Sequence, residues 1–274
     1  MSYAAVMVYV EADARPEARV RLARDVADRF RAELIGLTAE ADRLPLAAAG
    51  DVVSEELIDI ENEATRTKLA DKGEWFRRIA GADHRKLQWR AMMQFPSEAL
   101  TCEARSADLV IIGRDQAPGD AYNSLNPGAA ILGAGRPVLL VPEKVDSLRA
   151  ENIVVGWKET REARRAILDA LPFLQEATRV TIVEVCGPGE EATAQSHLDD
   201  VAKYLSRHRI GGGPRVILQQ EGSGAAQLIQ LAADEKADLL VTGAYGHSRL
   251  GEWIFGGMTR DLLARSPICC LMSH

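Results

Sequence analysis

The chain repeats part of its own sequence, and this repeat restricts the fold more than any other feature. Residues 108–113 read Asp-Leu-Val-Ile-Ile-Gly, and residues 238–243 read Asp-Leu-Leu-Val-Thr-Gly. A proline also introduces the last apolar run of each half, Pro137 in the first and Pro267 in the second. Such self-similarity predicts two copies of one supersecondary architecture.

Within each half, short apolar runs alternate with segments of helical periodicity, which predicts a parallel sheet covered by helices on both faces. The predicted fold class is therefore α/β, with two tandem Rossmann-like domains, each a five-stranded parallel sheet sandwiched by helices. Their predicted bounds are residues 1–142 and 152–274, joined by the charged linker Glu143–Glu151. We expect two sheets rather than one sheet that runs through both halves.

The predicted strands are short and apolar. Those of the first half are Ala5–Val10, Leu34–Ala39, Leu87–Ala91, Leu109–Gly113 and Val138–Val141. Those of the second half are Ile153–Trp157, Val180–Cys186, Val216–Gln219, Leu239–Gly243 and Ile268–Met272. A charged stretch with apolar residues at helical spacing, Glu55–Ile79, predicts one amphipathic surface helix.

Composition and charge exclude several classes of function. A formal net charge of −7 disfavours sequence-independent binding to nucleic acid or to an anionic membrane surface. No apolar run approaches the roughly 20 residues of a membrane span, and the first strand follows without a basic leader, so we expect a cytoplasmic protein. The four cysteines lack Cys-x-x-Cys spacing and the five histidines lack metal-ligand spacing, which predicts free thiols and no metal site.

No motif indicates catalysis. The sequence contains no phosphate loop of the Walker type, no nucleophile elbow and no His-Glu-x-x-His zinc helix. His247 and Ser248 are adjacent, but sequence neighbours seldom point at each other, and we interpret them as a solvated side chain and a loop cap. We predict no catalytic residue and no enzyme, with weak ATP hydrolysis left open.

Two glycine pairs in the second half predict an anion site. Gly243 and Gly246 end an apolar strand, nine residues follow, and Gly256 and Gly257 open a helix. Glycines let backbone N–H groups approach a ligand without interference from a Cβ atom. A helix N-terminus adds unpaired donors and a partial positive charge, which favour a phosphate. A tight turn without a ligand is the alternative.

This order of glycines resembles the nucleotide-binding segment of the universal stress protein family, and the resemblance covers almost the whole chain as two tandem domains of the adenine nucleotide alpha hydrolase-like fold. It implies a stress-response module that binds ATP or another adenine nucleotide, with Mg²⁺ as an accompanying ion, in the second half only. The implied phosphate-facing residues are Gly243, Gly246, Gly256, Gly257 and Met258, and Gly156, Trp157 and Val185 would face the base.

Two positions of the second half depart from the family pattern. Gly257 stands where a Ser or Thr is usual, and Thr259 lies two residues further on. Lys158 stands where an Asp is usual, and an ammonium group has no acceptor capacity, although it could reach a phosphate as a point charge. Trp157 is read as core, as a plug of the pocket or as a stacking surface for adenine.

The first half is predicted to be a degenerate domain without nucleotide. It keeps Glu11 at the Asp position, but Gly-x-x-Gly is absent after Gly113, and Asn126-Pro127-Gly128 replaces the second glycine pair. Proline lacks the backbone donor of a phosphate cradle.

The family resemblance also implies how the halves associate. Val138–Val141 and Ile268–Met272 would pair as in a family dimer, which would cover two sheet edges. This makes the chain an intramolecular pseudo-dimer and leaves a further homodimer open. The alternative function is a structural or interaction protein that binds an unknown protein partner and no nucleotide.

Overall fold

The computed structural model describes residues 2–41, 55–81, 86–114, 123–220, 223–246 and 257–274. In the first half, the strands are β1 (Ala5–Tyr9), β2 (Glu33–Ala39), β3 (Leu87–Met92), β4 (Leu109–Gly113) and β5 (Val138–Val141). The helices between them are α1 (Glu17–Phe30), α2 (Glu55–Ala80), α3 (Pro96–Glu103) and α4 (Pro127–Gly133), and a 3₁₀ turn follows α3 at Ala104–Ser106.

The second half repeats this alternation. Its strands are β6 (Asn152–Trp157), β7 (Arg179–Cys186), β8 (Gly212–Leu218), β9 (Leu239–Gly243) and β10 (Cys269–Ser273). Its helices are α5 (Arg161–Glu176), α6 (Glu191–Arg207), α7 (Gly224–Asp234) and α8 (Gly257–Arg265). Each half thus supplies the predicted five strands, with helices in the crossovers between them.

The strands join into one sheet of ten, in the order β3-β2-β1-β4-β5-β10-β9-β6-β7-β8. All strands within a half run parallel, and β5 pairs antiparallel with β10, with Leu139 opposite Leu271. This pairing of the last strands is the predicted one. The expectation of two separate sheets is wrong, because pairing those edges necessarily makes the sheet continuous.

One strand is longer than its apolar pattern. β8 begins at Gly212 instead of Val216, because its first residues pair in register with Val180 onward on β7. Pro214 lies within this strand, and β8 is an edge of the sheet. Proline is tolerated at an edge, where its missing N–H need not serve a second neighbour. The neighbouring strand, not local hydrophobicity, sets this boundary.

The repeated aspartates have the same structural role in both halves. The Asp108 carboxylate accepts hydrogen bonds from the backbone N–H groups of Ala4 (2.7 Å) and Ala5 (3.1 Å). The Asp238 carboxylate accepts in the same way from Glu151 (3.3 Å) and Asn152 (3.2 Å). Each aspartate therefore joins the start of the fourth strand of its half to the start of the first.

An aromatic cluster holds the halves together on one face of the sheet. The Phe173 ring of α5 lies 5.1 Å from the Phe30 ring of α1 and 5.6 Å from the Tyr3 ring, measured between ring centroids. Phe173 is fully buried. The Tyr3 hydroxyl donates to the Asp169 carbonyl at 2.6 Å, and Arg29 pairs with Glu176 across the same boundary. The halves therefore share side-chain packing as well as a sheet.

The strand order also places the candidate site. In the second half the chain moves from β6 to β7 in one direction and returns to β9 on the other side of β6. Ligands of open α/β sheets bind beyond the carboxyl ends of the strands at such a reversal. Helices that follow these strands begin there, so their N-termini gather at one edge.

Candidate nucleotide site

A cavity of about 320 Å³ lies at this edge of the second half. Strand ends form its floor, and the starts of α5, α7 and α8 form its sides. The residues that line it include Gly156, Trp157, Lys158, Thr160, Ala163, Val183, Val185, Gly224, Leu228, Thr242, Gly243, Tyr245, Gly246, Gly257, Met258 and Thr259. Three helix N-termini thus face one space, and each contributes a partial positive charge. The volume lies within the range of small-molecule sites.

The structure brings the predicted site residues together. Every one that it describes lines the cavity: Gly156, Trp157, Lys158, Val185, Gly243, Gly246, Gly257 and Met258. Gly256, and with it His247 and Ser248, lies outside the described residues.

Close packing explains the first glycine pair. A Cβ atom at Gly243 would lie 2.5 Å from the Ala163 nitrogen and 2.6 Å from the Glu162 carbonyl carbon. Real Cβ atoms do not approach backbone atoms this closely, so the strand meets the start of α5 only with glycine here. At Gly246 the added atom would lie 2.8 Å from a Glu162 carboxylate oxygen and 3.1 Å from the Thr160 hydroxyl.

Glu162 is a buried carboxylate beneath this glycine loop, and the sequence did not single it out as a site residue. The residue is 4% exposed. Burial would raise the pKa of its carboxyl, but hydrogen bonds from Arg161, from backbone and from Thr160, together with the Arg161 charge, outweigh burial and lower the pKa. The ionised carboxylate at the N-terminus of α5 therefore forms a fixed support for Gly246. The role of Thr160 could be predicted from the sequence, because a Thr before a helical segment is typical of a helix cap. Its hydroxyl accepts a hydrogen bond from the Ala163 N–H at 3.2 Å.

Tyr245 connects the two glycine segments, and the sequence pattern did not single it out as a site residue either. Its backbone N–H donates to the Thr259 hydroxyl in the first turn of α8 at 3.2 Å. Its φ angle of 59° is left-handed, a conformation uncommon for a residue with a side chain. Thr259 is buried, and its hydroxyl is engaged with the loop backbone. Thr259 therefore joins the loop to the helix.

Three further residues define the open part of the cavity. Trp157 is 8% exposed and belongs to the core, while it also forms part of the cavity wall. Its indole Nε1 is buried without a hydrogen-bond partner in the described chain. A Cβ atom at Gly257 would meet no atom of the described residues within 4 Å. Lys158 is exposed at the rim, where its ammonium group adds a positive charge.

The corresponding edge of the first half is filled. A Cβ atom at Gly113 would lie 2.3 Å from the Arg19 guanidinium. Arg19 donates to a Glu11 carboxylate oxygen at 2.7 Å and to the Tyr9 carbonyl at 3.1 Å, and the side chains of the pair are only 14% and 18% exposed. A guanidinium–carboxylate pair therefore occupies the place next to the glycine that the cavity occupies in the second half.

The described residues offer few other chemical centres. They contain no cluster of His, Cys, Asp and Glu that could hold a metal ion, and none of their helices combines the length and apolar character needed to cross a bilayer. All four cysteines are free thiols; Cys186, Cys269 and Cys270 are buried, whereas Cys102 is exposed. Burial raises the pKa of the Cys270 thiol to about 11.

Comparison with known proteins assigns the second half to a family. Residues 149–274 match the profile described as the universal stress protein family. A solved universal stress protein from Archaeoglobus fulgidus DSM 4304 is similar over 98% of this chain and 95% of its own length, at 13% identity and a TM-score of 0.71. A functionally unknown protein from Pseudomonas aeruginosa PAO1 is similar over 98% and 92%, at 13% identity and a TM-score of 0.61.

These full-length similarities show that the two-domain fold is shared. A further solved structure, a universal stress protein in complex with cAMP, is 19% identical and covers 53% of this chain and 100% of its own, with a TM-score of 0.35. No curated protein sequence matches the chain.

Proposed function

The chain belongs to the universal stress protein family through residues 149–274, and from this premise we propose that it is a stress-response module that binds an adenine nucleotide in its second half only. The cavity carries this proposal. It collects the two glycine segments and three helix N-termini at the topological switch point, and these features together favour a phosphorylated ligand.

The cavity has two chemically different ends. The start of α8 offers backbone donors, and Gly243 and Gly246 leave the neighbouring wall without side-chain cover, which suits phosphate oxygens. Apolar atoms of Val183, Val185 and Leu228 line another part of the wall, which suits a purine base. ATP is the nucleotide that this division fits, and Mg²⁺ would accompany its phosphates.

The proposed role is binding, without turnover. Glu162 is buried under the glycine loop and supports it, and Lys158 at the rim contributes charge rather than proton transfer. Occupancy of the cavity would change the surface that the second half presents to a protein partner. We propose a cytoplasmic protein, with neither nucleic acid nor membrane as partner.

The deciding experiment identifies the ligand that the protein itself retains. The purified chain is denatured gently and the released small molecules are identified by mass spectrometry. We expect an adenine nucleotide at no more than one equivalent per chain, because Arg19 and Glu11 fill the first half. Protein without nucleotide that also takes up no ATP in calorimetry would favour the alternative function, an interaction protein that works without nucleotide.

A further inference from the structure

The side chain of Tyr245 reaches out of the cavity loop into the other half of the molecule. A Cβ atom built at Gly128, the second residue of α4, would lie 2.7 Å from the Tyr245 hydroxyl oxygen and 3.7 Å from its Cζ atom. The phenol therefore lies directly against α4 of the first half. Burial of the phenol raises its pKa, so the hydroxyl stays neutral at physiological pH.

The backbone of Tyr245 is tied into the cavity at the same time. Its N–H donates to Thr259 of α8, and the residue itself lines the cavity. Next to it, the Ala244 carbonyl lies 3.1 Å from Nδ1 of His274 at the C-terminus. A left-handed, non-glycine residue persists where its surroundings determine its conformation. For Tyr245 those surroundings include the first half.

We propose that Tyr245 is a positioning residue that makes the geometry of the cavity depend on the packing of the two halves. The first half would thus contribute to the binding site without touching the ligand, through Gly128. Coupling of this kind is reciprocal: a ligand that fixes the loop also fixes the contact between Tyr245 and α4. This inference deepens the proposed function. Of the two experiments below, only the titration with ATP rests on that function.

The test places a single methyl group at the contact. In Gly128→Ala the new methyl must push the Tyr245 hydroxyl away. Adding Tyr245→Phe removes that oxygen. The nearest ring atom then lies at 3.7 Å, an ordinary contact, and Asn126 Oδ1 at 3.2 Å is the closer neighbour that remains in both variants. Gly133→Ala in the same helix is the matched control, because its methyl would lie 2.6 Å from the Thr101 hydroxyl instead. Both substitutions replace a glycine of this helix by alanine, the better helix former.

The first arm uses the protein without ligand. Hydrogen exchange of residues 257–265 is measured by mass spectrometry, and we expect Gly128→Ala to accelerate it by about five- to tenfold. The double variant should return it to the wild-type rate, and Gly133→Ala should leave it unchanged. Equal acceleration by both single alanines, or no recovery in the double variant, would overturn the inference.

The second arm titrates the same variants with ATP and Mg²⁺. We expect Gly128→Ala to weaken binding about five- to tenfold and the double variant to recover it. An affinity that Gly128→Ala leaves unchanged would also overturn the coupling. A wild-type protein that binds no ATP, combined with the expected exchange pattern, would refute the proposed function and leave the structural coupling standing.

Discussion

The first helix of each half has Glu-Ala-Arg in its first turn, residues 17–19 and 162–164, and the two halves use this arginine for opposite purposes. In the first half Arg19 turns inward over Gly113 and pairs with Glu11. In the second half Arg164 turns outward and pairs with Glu159 at the surface, and the space beside Gly243 remains a cavity. One inward ion pair is therefore enough to fill the edge of a domain whose strands and helices are otherwise preserved.

A second feature of the first half accompanies the inward arginine. Pro127, which has no backbone donor, stands at the start of α4. There the Asn126 side chain accepts from the Ala129 N–H at 3.0 Å and caps the helix. The start of α4 is thus capped by a side chain.

The largest expected effect on stability comes from weakening the aromatic packing between the two halves. Phe173→Ala removes a fully buried ring from the cluster with Tyr3 and Phe30. We expect a loss of about 3–5 kcal/mol in the free energy of unfolding, measured by denaturant titration. Leu168→Ala on the same helix is the control; this residue is 39% exposed, and a loss below about 1 kcal/mol is expected. Similar losses for both variants would show that the cluster contributes little.

The asymmetry of binding is tested by a matched pair of glycine substitutions. Gly246→Val pushes on the Glu162 carboxylate and on Thr160 and should weaken ATP binding at least about a hundredfold, equivalent to about 2.7 kcal/mol. Gly113→Val displaces only the end of the Arg19 side chain and should leave the affinity unchanged. Calorimetry on both variants, with circular dichroism to confirm folding, decides between them. Equal losses would contradict a site confined to the second half.

Local pattern was sufficient for the strands and pointed to eight of the seventeen residues that line the cavity. The Asp-to-Gly strands and the Pro-led strands were placed correctly because their apolar runs are buried on both faces, and the glycine segments identified the cavity. Local sequence could not locate Glu162 or Tyr245, since their roles come from distant contacts with Gly246 and Gly128. Likewise, β8 extends to Gly212 through pairing with β7. What the sequence missed depends on neighbours that only the folded chain supplies.

Removing the inward arginine tests whether it alone closes the first half. Arg19→Ala leaves the Glu11 carboxylate, already only 18% exposed, without its cation, and we expect a loss of about 2 kcal/mol in stability. Adding Glu11→Ala should recover part of that loss, since no charge then remains unpaired. The stoichiometry of ATP in calorimetry should stay at no more than one per chain, because Pro127 still lacks its donor. A second bound ATP would mean that Arg19 is the sole obstacle.

The smallest expected effect comes from changing two residues of the second half to the types that are usual in the family. Gly257→Ser adds a hydroxyl where no atom of the described residues lies within 4 Å of the new Cβ, and Lys158→Asp places an acceptor at the rim. Together they should strengthen ATP binding several-fold, about 1 kcal/mol. The single variants, titrated under the same conditions, separate the two contributions. A weaker double variant would assign Lys158 to the phosphates and not to the nucleoside end.

The ladder between β5 and β10 has a consequence for how such a protein can diverge. Where two identical chains form this ladder, every substitution appears in both subunits, and dilution separates them. Here the linker residues 143–151 keep the two strands at an effective concentration in the millimolar range, so pairing does not depend on how much protein the cell makes. One copy can therefore accumulate an Arg19 and a Pro127 while the other keeps its glycines. Covalent fusion turns a symmetric partner into an independently mutable one.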